Sequence, residues 1–253
     1  MDDFSRRKFL QEAALAVPAA AFAGAAAQES KNPVESGAKK LKVVVAGGHP
    51  GDPEYGCGGT VARYSERGHA VTLLYLNRGE GGIPGKTPQQ AAAIRTAEAQ
   101  KACELLGAKP LFADQIDGHA IVDKAHYDSF ARILAAEKPD VLFTQWPIDG
   151  HPDHRATSTL CYEAWLRAGK NFEFYFYEVS DGEDTLMFYP REYVDISSVE
   201  ARKRAACYAH ASQTPDRFYA LQDQVARFRG VESGTAAAEA FVRHVQSKGR
   251  WLP

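Results

Sequence analysis

The four cysteines of this 253-residue chain are not spaced in pairs. Cys57, Cys103, Cys161 and Cys207 stand apart, without C-x-x-C or C-x-x-H spacing, which argues against cysteine-ligated zinc. Three of them fall in Ala/Leu-rich helical contexts, so small buried thiols are expected. A membrane-length apolar run is also missing. The Ala-rich stretch from Ala13 to Ala27 is broken by Pro18 and Gly24 and falls short of the ~20 residues needed to span a bilayer. Charge of one sign is lacking too: 30 Lys and Arg against 32 Asp and Glu leave −2, with no electrostatic basis for binding nucleic acid or an anionic membrane. Internal repeats are absent.

Ser5-Arg6-Arg7-Lys8-Phe9-Leu10 places two arginines directly before the Ala-rich run, and Ala25, Ala26 and Ala27 offer a cleavage site. Residues 1–27 are therefore read as a twin-arginine (Tat) export signal, with the mature protein periplasmic or secreted. That segment carries three basic and three acidic residues, so its removal leaves the net charge unchanged. Residues 28–40 read as a polar linker, and 41–253 as one domain with length enough for a proper core.

Within that domain, apolar strands alternate with helical stretches. Leu41–Ala46 reads as a buried central strand, Cys57–Arg67 as a helix ended by Gly68, and Ala70–Leu76 as the next strand. Pro88–Leu106 is expected to be a helix, Leu111–Ala113 a short strand, Lys124–Glu137 a helix and Val141–Thr144 a strand. Asp153–Ala168 follows as a helix and Phe172–Val179 as a strand covered on both faces. Leu186–Ile196 reads as a hairpin or irregular edge. Ser197 and Glu200, three apart, suggest a capping box opening a helix to about Ala211. Helices around Phe218–Phe228 and Thr235–Val245 complete the reading. The alternation predicts an α/β, Rossmann-like, doubly wound and mostly parallel sheet flanked by helices in a single domain. In such folds the site lies beyond the carboxyl ends of the strands.

Two nucleotide readings fail. No G-x-G-x-x-G follows the first strand, and Gly85-Lys86-Thr87 lacks the leading glycine of a phosphate-binding loop, because Glu80 stands there. The chemistry sits instead in two turns. His49-Pro50-Gly51-Asp52-Pro53-Glu54 directly follows the first strand, and His151-Pro152-Asp153-His154 lies a few residues beyond Val141–Thr144. Parallel strands ending in one layer can bring His49, Asp52 and His154 together. Two imidazoles and a carboxylate with an open fourth position form a catalytic zinc arrangement. A lone histidine in either turn would read equally well as a cap or a surface residue; two such turns behind two buried strands favour the metal.

These motifs together resemble the LmbE-like, or PIG-L-type, zinc-dependent deacetylase family. The resemblance rests on His49-Pro50-x-Asp52, Gly58-Gly59-Thr60, Gly79-Glu80-x-Gly82, Arg95-x-x-Glu98, Leu106-Gly107, Lys138-Pro139-Asp140, His151-Pro152-Asp153-His154 and His210-x-Ser212-Gln213. It spans residues 46 to 213. The resemblance implies hydrolysis of N-acetyl groups from N-acetylglucosamine-type sugars and glycoconjugates, with Zn2+ on His49, Asp52 and His154. It makes His151 the partner of the developing oxyanion, oriented by Asp153, and puts Arg95, Glu80 and His210 toward substrate. An ion pair between Arg95 and Glu98 is the alternative for that arginine.

The sequence departs from the family's H-P-D-D-E turn, whose first Asp is the general base. Here that position is Gly51. Glu54, Asp149, Glu80 and His151 are the candidates for the missing role, Glu54 being nearest in sequence. A zinc-retaining carbohydrate-binding protein without hydrolysis is the alternative function.

Overall fold

The computed structural model describes residues 39–249 and 252–253. The expected export signal and most of the linker lie outside the described residues. At the linker's end, Lys39 pairs with Asp140, and Lys40 donates to the Arg67 carbonyl at 2.8 Å.

Five strands form the parallel part of one sheet: β1 (Lys42–Gly47), β2 (Ala70–Tyr75), β3 (Lys109–Phe112), β4 (Val141–Gln145) and β5 (Glu173–Tyr177). Two more, β6 (Glu192–Asp195) and β7 (Ala238–Arg243), complete the order β3-β2-β1-β4-β5-β7-β6, with β7 antiparallel to both its neighbours. The helices are α1 (Asp52–Glu66), α2 (Pro88–Leu106), α3 (Lys124–Glu137), α4 (Pro152–Arg167), α5 (Glu200–Tyr208) and α6 (Pro215–Ser233). Strand alternation divides the core. Val43, Val45, Leu73, Tyr75, Phe143 and Tyr175 pack with Cys57, Val61, Ala99, Ala102 and Ala206 of α1, α2 and α5. Val44, Ala46, Leu74, Leu142 and Phe174 pack on the other face with Phe130, Leu134, Leu160 and Trp165 of α3 and α4. Successive residues of a strand point to opposite faces, so covering both faces requires the near-continuous apolar strands seen in the sequence.

The doubly wound α/β expectation holds, and helices α2 and α3 begin and end where the sequence placed them. All four cysteines are buried and free. Among the described residues no helix is long and apolar enough to cross a membrane.

Three local expectations are corrected. Helix α1 starts at Asp52 rather than Cys57, because Pro53 sits in the first turn, where no N–H is required of it. The capping box at Ser197 does not form: Val199 is the N-cap, and the Ser197 hydroxyl donates to Asp195 at 2.6 Å. The stretch around Thr235–Val245 is not a helix but carries β7. Its Ala-rich composition favours helix, but pairing with both β5 and β6 satisfies its backbone and buries Ala238, Ala240 and Phe241.

Glycine sets how closely α1 approaches the sheet. A Cβ on Gly56 would lie 2.3 Å from the Tyr177 ring and 2.7 Å from the Glu178 carbonyl. The Tyr177 ring cannot swing aside freely, because its hydroxyl donates to the Ala46 carbonyl at 2.9 Å. Gly56→Ala should therefore overpack the helix–sheet contact and cost about 1–3 kcal/mol. Urea denaturation followed by circular dichroism would read this as a lowered midpoint with an unchanged slope.

Candidate metal centre

The strand order reverses between β1 and β4, so the chain leaves these neighbouring strands in different directions and opens a crevice at their carboxyl ends. Both histidine turns occupy this crevice. After β1, the Gly48 amide donates to Gln145 Oε1 at 2.8 Å, tying the first turn to the end of β4. A Cβ on Gly48 would come within 2.9 Å of the His154 ring, so glycine permits the two turns to close on each other.

Asp52 is the hinge of the cluster. Its Oδ2 accepts the His49 backbone N–H at 2.7 Å and lies 3.2 Å from both His49 Nδ1 and His154 Nε2. Those separations are close to the edge of about 3.3 Å that a tetrahedron has at zinc–ligand bonds of roughly 2.0–2.1 Å. The outer nitrogen of each imidazole is occupied. His49 Nε2 faces Asp117 Oδ1 at 3.1 Å and Asp153 Oδ2 at 3.2 Å, while His154 Nδ1 faces Asp149 Oδ1 at 2.9 Å. Ionised carboxylates only accept, so these outer nitrogens carry protons, and the inner ones can offer lone pairs. Carboxylates bound to the far side of ligating histidines are the usual support of a metal centre.

Ligand atoms of His49, His151 and His154 lie within 4.8 Å of one another, as do those of His49, Asp117 and Asp153. The second group surrounds the outer nitrogen of His49 and serves as its support. Of the first, His151 is set apart, because its Nδ1 accepts the Asp153 N–H at 3.2 Å as the N-cap of α4. That bond leaves the proton of a neutral His151 on Nε2. Burial and the neighbouring charges of His49 and His154 hold its pKa below the ordinary histidine range, which keeps it neutral.

The ligand electrostatics ask for positive charge. Burial opposes protonation of His49, but the charge of Asp52 and hydrogen bonds to Asp117, Asp153 and Asp52 raise its pKa well above the usual value. His154, opposed by burial, is raised to about 9 by Asp52 and Asp149. Asp52 stays ionised, since His154 and His49 outweigh the burial that resists it. Two imidazolium protons thus offset part of the charge of the four surrounding carboxylates, Asp52, Asp117, Asp149 and Asp153. A divalent ion displacing such protons from the inner nitrogens would supply the same charge, so the donor set fits a dication.

The other residues singled out in the sequence fall in different places. Asp153 does not orient His151 through its carboxylate: Oδ2 accepts from Asn77 Nδ2 at 2.9 Å and the Gly118 amide at 2.8 Å, and meets His49. Glu54 is fully buried away from the crevice. It accepts from the Tyr75 hydroxyl at 2.7 Å and the Gly51 amide at 3.1 Å, and lies 3.0 Å from His210 Nε2. Its place as N3 of α1 turns it inward, so it is not the replacement base. Glu80 caps its own turn, accepting from the Arg78 and Asp117 amides, and does not reach substrate space. Asp149 is consumed by His154, the His151 amide at 2.8 Å and the Thr185 hydroxyl at 3.1 Å. Arg95 makes no pair with Glu98, which instead accepts from Ser212. Its guanidinium donates to the Pro50 carbonyl at 2.5 Å and Gln213 Oε1 at 2.9 Å.

A cavity of about 570 Å³ opens over this cluster. His49, Asp52, His151 and His154 line it with Arg95, His210, Tyr55 and Gln213. Asp117 and Asp184 also line it, and neither is legible in the sequence. Each sits in a loop with no metal-type spacing. Burial, reinforced by Asp52, Asp149 and Glu183 against the pull of His154, pushes Asp184 up to about 6.

The chain is similar to known proteins over most of the described residues. The family model described as PIG-L, GlcNAc-PI de-N-acetylase, matches residues 43–165. Diacetylchitobiose deacetylase of Thermococcus kodakarensis is 31% identical over 218 residues, covering 78% of this chain and 81% of the relative. The 4-oxalmesaconate hydratase of Pseudomonas putida is 27% identical over 209 residues, covering 75% and 80%. The crystal structure of a conserved protein from Thermus thermophilus superposes with a TM-score of 0.72 at 29% identity, covering 83% of this chain and 97% of that one.

The outer carboxylates generate a prediction. Asp149→Asn removes the charge that holds His154 Nδ1–H and should weaken divalent-metal binding about 10–100-fold. Calorimetric titration of zinc into chelator-stripped protein measures it, and an unchanged affinity would separate Asp149 from the centre.

Proposed function

The chain belongs to the PIG-L family of de-N-acetylases, and from that premise we propose that it is a zinc-dependent hydrolase removing the acetyl group from an acetamido sugar or related glycoconjugate. The observation carrying this reading is the convergence of His49 Nδ1 and His154 Nε2 on Asp52 Oδ2, each imidazole backed by carboxylates. An N, N, O donor set suits zinc in a hydrolytic site. When bound by His49, Asp52 and His154, zinc would polarise the acetyl carbonyl and lower the pKa of water toward ~7.

The protein's own groups divide the remaining work. His151, neutral with Nε2–H available to the cavity, would donate to the carbonyl oxygen as it gains negative charge. The N-terminus of α4 beside it adds the positive end of a helix dipole. Arg95 holds the Pro50 carbonyl and so keeps the first histidine turn in place. A cavity of about 570 Å³ is of a size for one or two sugar rings. The twin-arginine reading of residues 1–27 would place this activity in the periplasm or outside the cell.

Gly51 favours a second reading, a zinc-retaining binder of acetamido sugars without turnover, because the side chain that would serve as base in the usual turn is missing. One preparation separates the two. Metal analysis should find about one divalent ion per chain, and N-acetylglucosamine derivatives should release acetate. Asp52→Asn should lose both. Sugar binding without acetate release would select the binder, and a protein that retains no stoichiometric divalent metal would defeat both readings.

A further inference from the structure

Amide hydrolysis at this site needs a group that takes a proton from the attacking water and returns one to the leaving nitrogen. The positions the sequence suggested for it are closed. Residue 51 is glycine, Glu54 is sealed beneath the turn, Asp149 is bound to His154, and Glu80 caps its own turn. His151 is neutral and positioned to donate rather than accept.

The cavity lining contains three carboxylates: Asp52, Asp117 and Asp184. Asp52 bridges the two ligand histidines, and Asp117 is held by His49 and by the Gly81 amide at 3.0 Å. Asp184 alone among them has no side-chain hydrogen bond to another described residue, although it lies within electrostatic reach of His154 and Asp52. Its backbone is fixed all the same. The Asp184 amide donates to the Ser180 carbonyl at 3.0 Å, and its carbonyl accepts the Gly150 amide at 2.8 Å. The adjacent Thr185 forms a β-bridge with Asp149 and donates from its hydroxyl to that carboxylate. The loop between β5 and β6 is thereby locked to the turn that carries His151 and His154. An unpartnered carboxylate on a fixed backbone, beside a metal-type cluster, is the arrangement expected of a general base.

We infer that Asp184, supplied from the β5–β6 loop, is the general acid–base that stands in for the side chain absent at Gly51. The inference rests on the deacetylase reading of the site. As water oxygen bonds to the acetyl carbon, one water proton passes to the Asp184 carboxylate. The C–N bond then breaks as Asp184 returns that proton to the departing nitrogen. The products are the free amine and acetic acid, which ionises in solution. One water is consumed, and nothing is oxidised or reduced.

The test compares zinc-loaded wild type with Asp184→Asn, Asp184→Ala and the exposed, distant control Glu104→Gln. Zinc affinity is measured by calorimetry, and acetate release gives kcat and KM. Both Asp184 variants should bind zinc as wild type does, keep KM and lose about 10²–10⁴-fold in kcat. Added formate should partly rescue Asp184→Ala, and Glu104→Gln should match wild type. The near-isosteric Asn variant serves if the Ala variant fails to fold. An active wild type whose Asp184→Asn variant retains its kcat overturns the inference alone. Loss of zinc affinity in that variant would likewise overturn it, by making Asp184 a ligand. A zinc-bound wild type that releases no acetate from any acetamido sugar overturns the deacetylase reading, and the inference with it.

Discussion

The parallel pairing of β1 with β4 is the constraint on which the site depends. Ala46 and Thr144 stand opposite each other in register, so both strands end in the same layer. The turn after one then faces the turn after the other. Gln145, at the end of β4, accepts the Gly48 amide and fixes the distance between them. Asp52 can bridge His49 and His154 only because this register brings together two turns far apart in the chain. The pairing costs conformational entropy that the apolar faces of the strands must offset, and both sheet faces are covered to do so.

Buried charge is arranged around that constraint in closed groups. Asp153 accepts from Asn77 and Gly118 and meets His49, linking the loops after β2 and β3 to the first histidine turn. On the other side of the turn, Glu54, Tyr75 and His210 form a buried chain of hydrogen bonds beneath Gly51. Farther off, Lys203 pairs with Glu239, which also accepts the Gly59 and Thr60 amides, and Arg229 pairs with Glu178. Removing one member of such a pair strands the other in a poorly hydrated interior, which costs more than the pair itself contributes. Glu239 holds α1 directly through the Gly59 and Thr60 amides, and α1 carries Asp52 in its first turn.

Much of this is legible in the sequence. The strands show as buried apolar runs, and α2 and α3 are bounded by Thr87 and Asp123 as caps and by Gly107 and Lys138 at their ends. His49, Asp52 and His154 are legible because each belongs to a short motif at a strand end. The supporting carboxylates are not. Asp117 and Asp184 lie in loops whose course is set by tertiary contacts, and no spacing in the sequence relates them to His49 or His154. Asp153 reads as a partner of His151 because they are neighbours in the chain, but the helical turn sends its carboxylate toward His49. Segment β7 misleads for a related reason: alanine favours helix locally, and only pairing with β5 and β6 makes that segment a strand.

Gly51 is more than a missing carboxylate. As the N-cap of α1 it has φ of +112°, a conformation that a residue with a Cβ adopts only with strain of about 1–3 kcal/mol. Space is not the obstacle, since a Cβ there would meet only the Tyr55 ring at 3.7 Å and His210 at 3.9 Å. The obstacle is the backbone, which the Glu54 carboxylate helps to hold by accepting the Gly51 amide. Installing an aspartate at this position would therefore compete with the cap that orients α1 and, through it, Asp52. A proton-transfer group on the β5–β6 loop avoids that conflict, because Asp184 is anchored to the second histidine turn and leaves the first one undisturbed. The glycine and the distant aspartate are thus two parts of one arrangement. The turn keeps a backbone shape suited to metal ligation, and acid–base chemistry moves to a wall of the cavity where a side chain fits without strain.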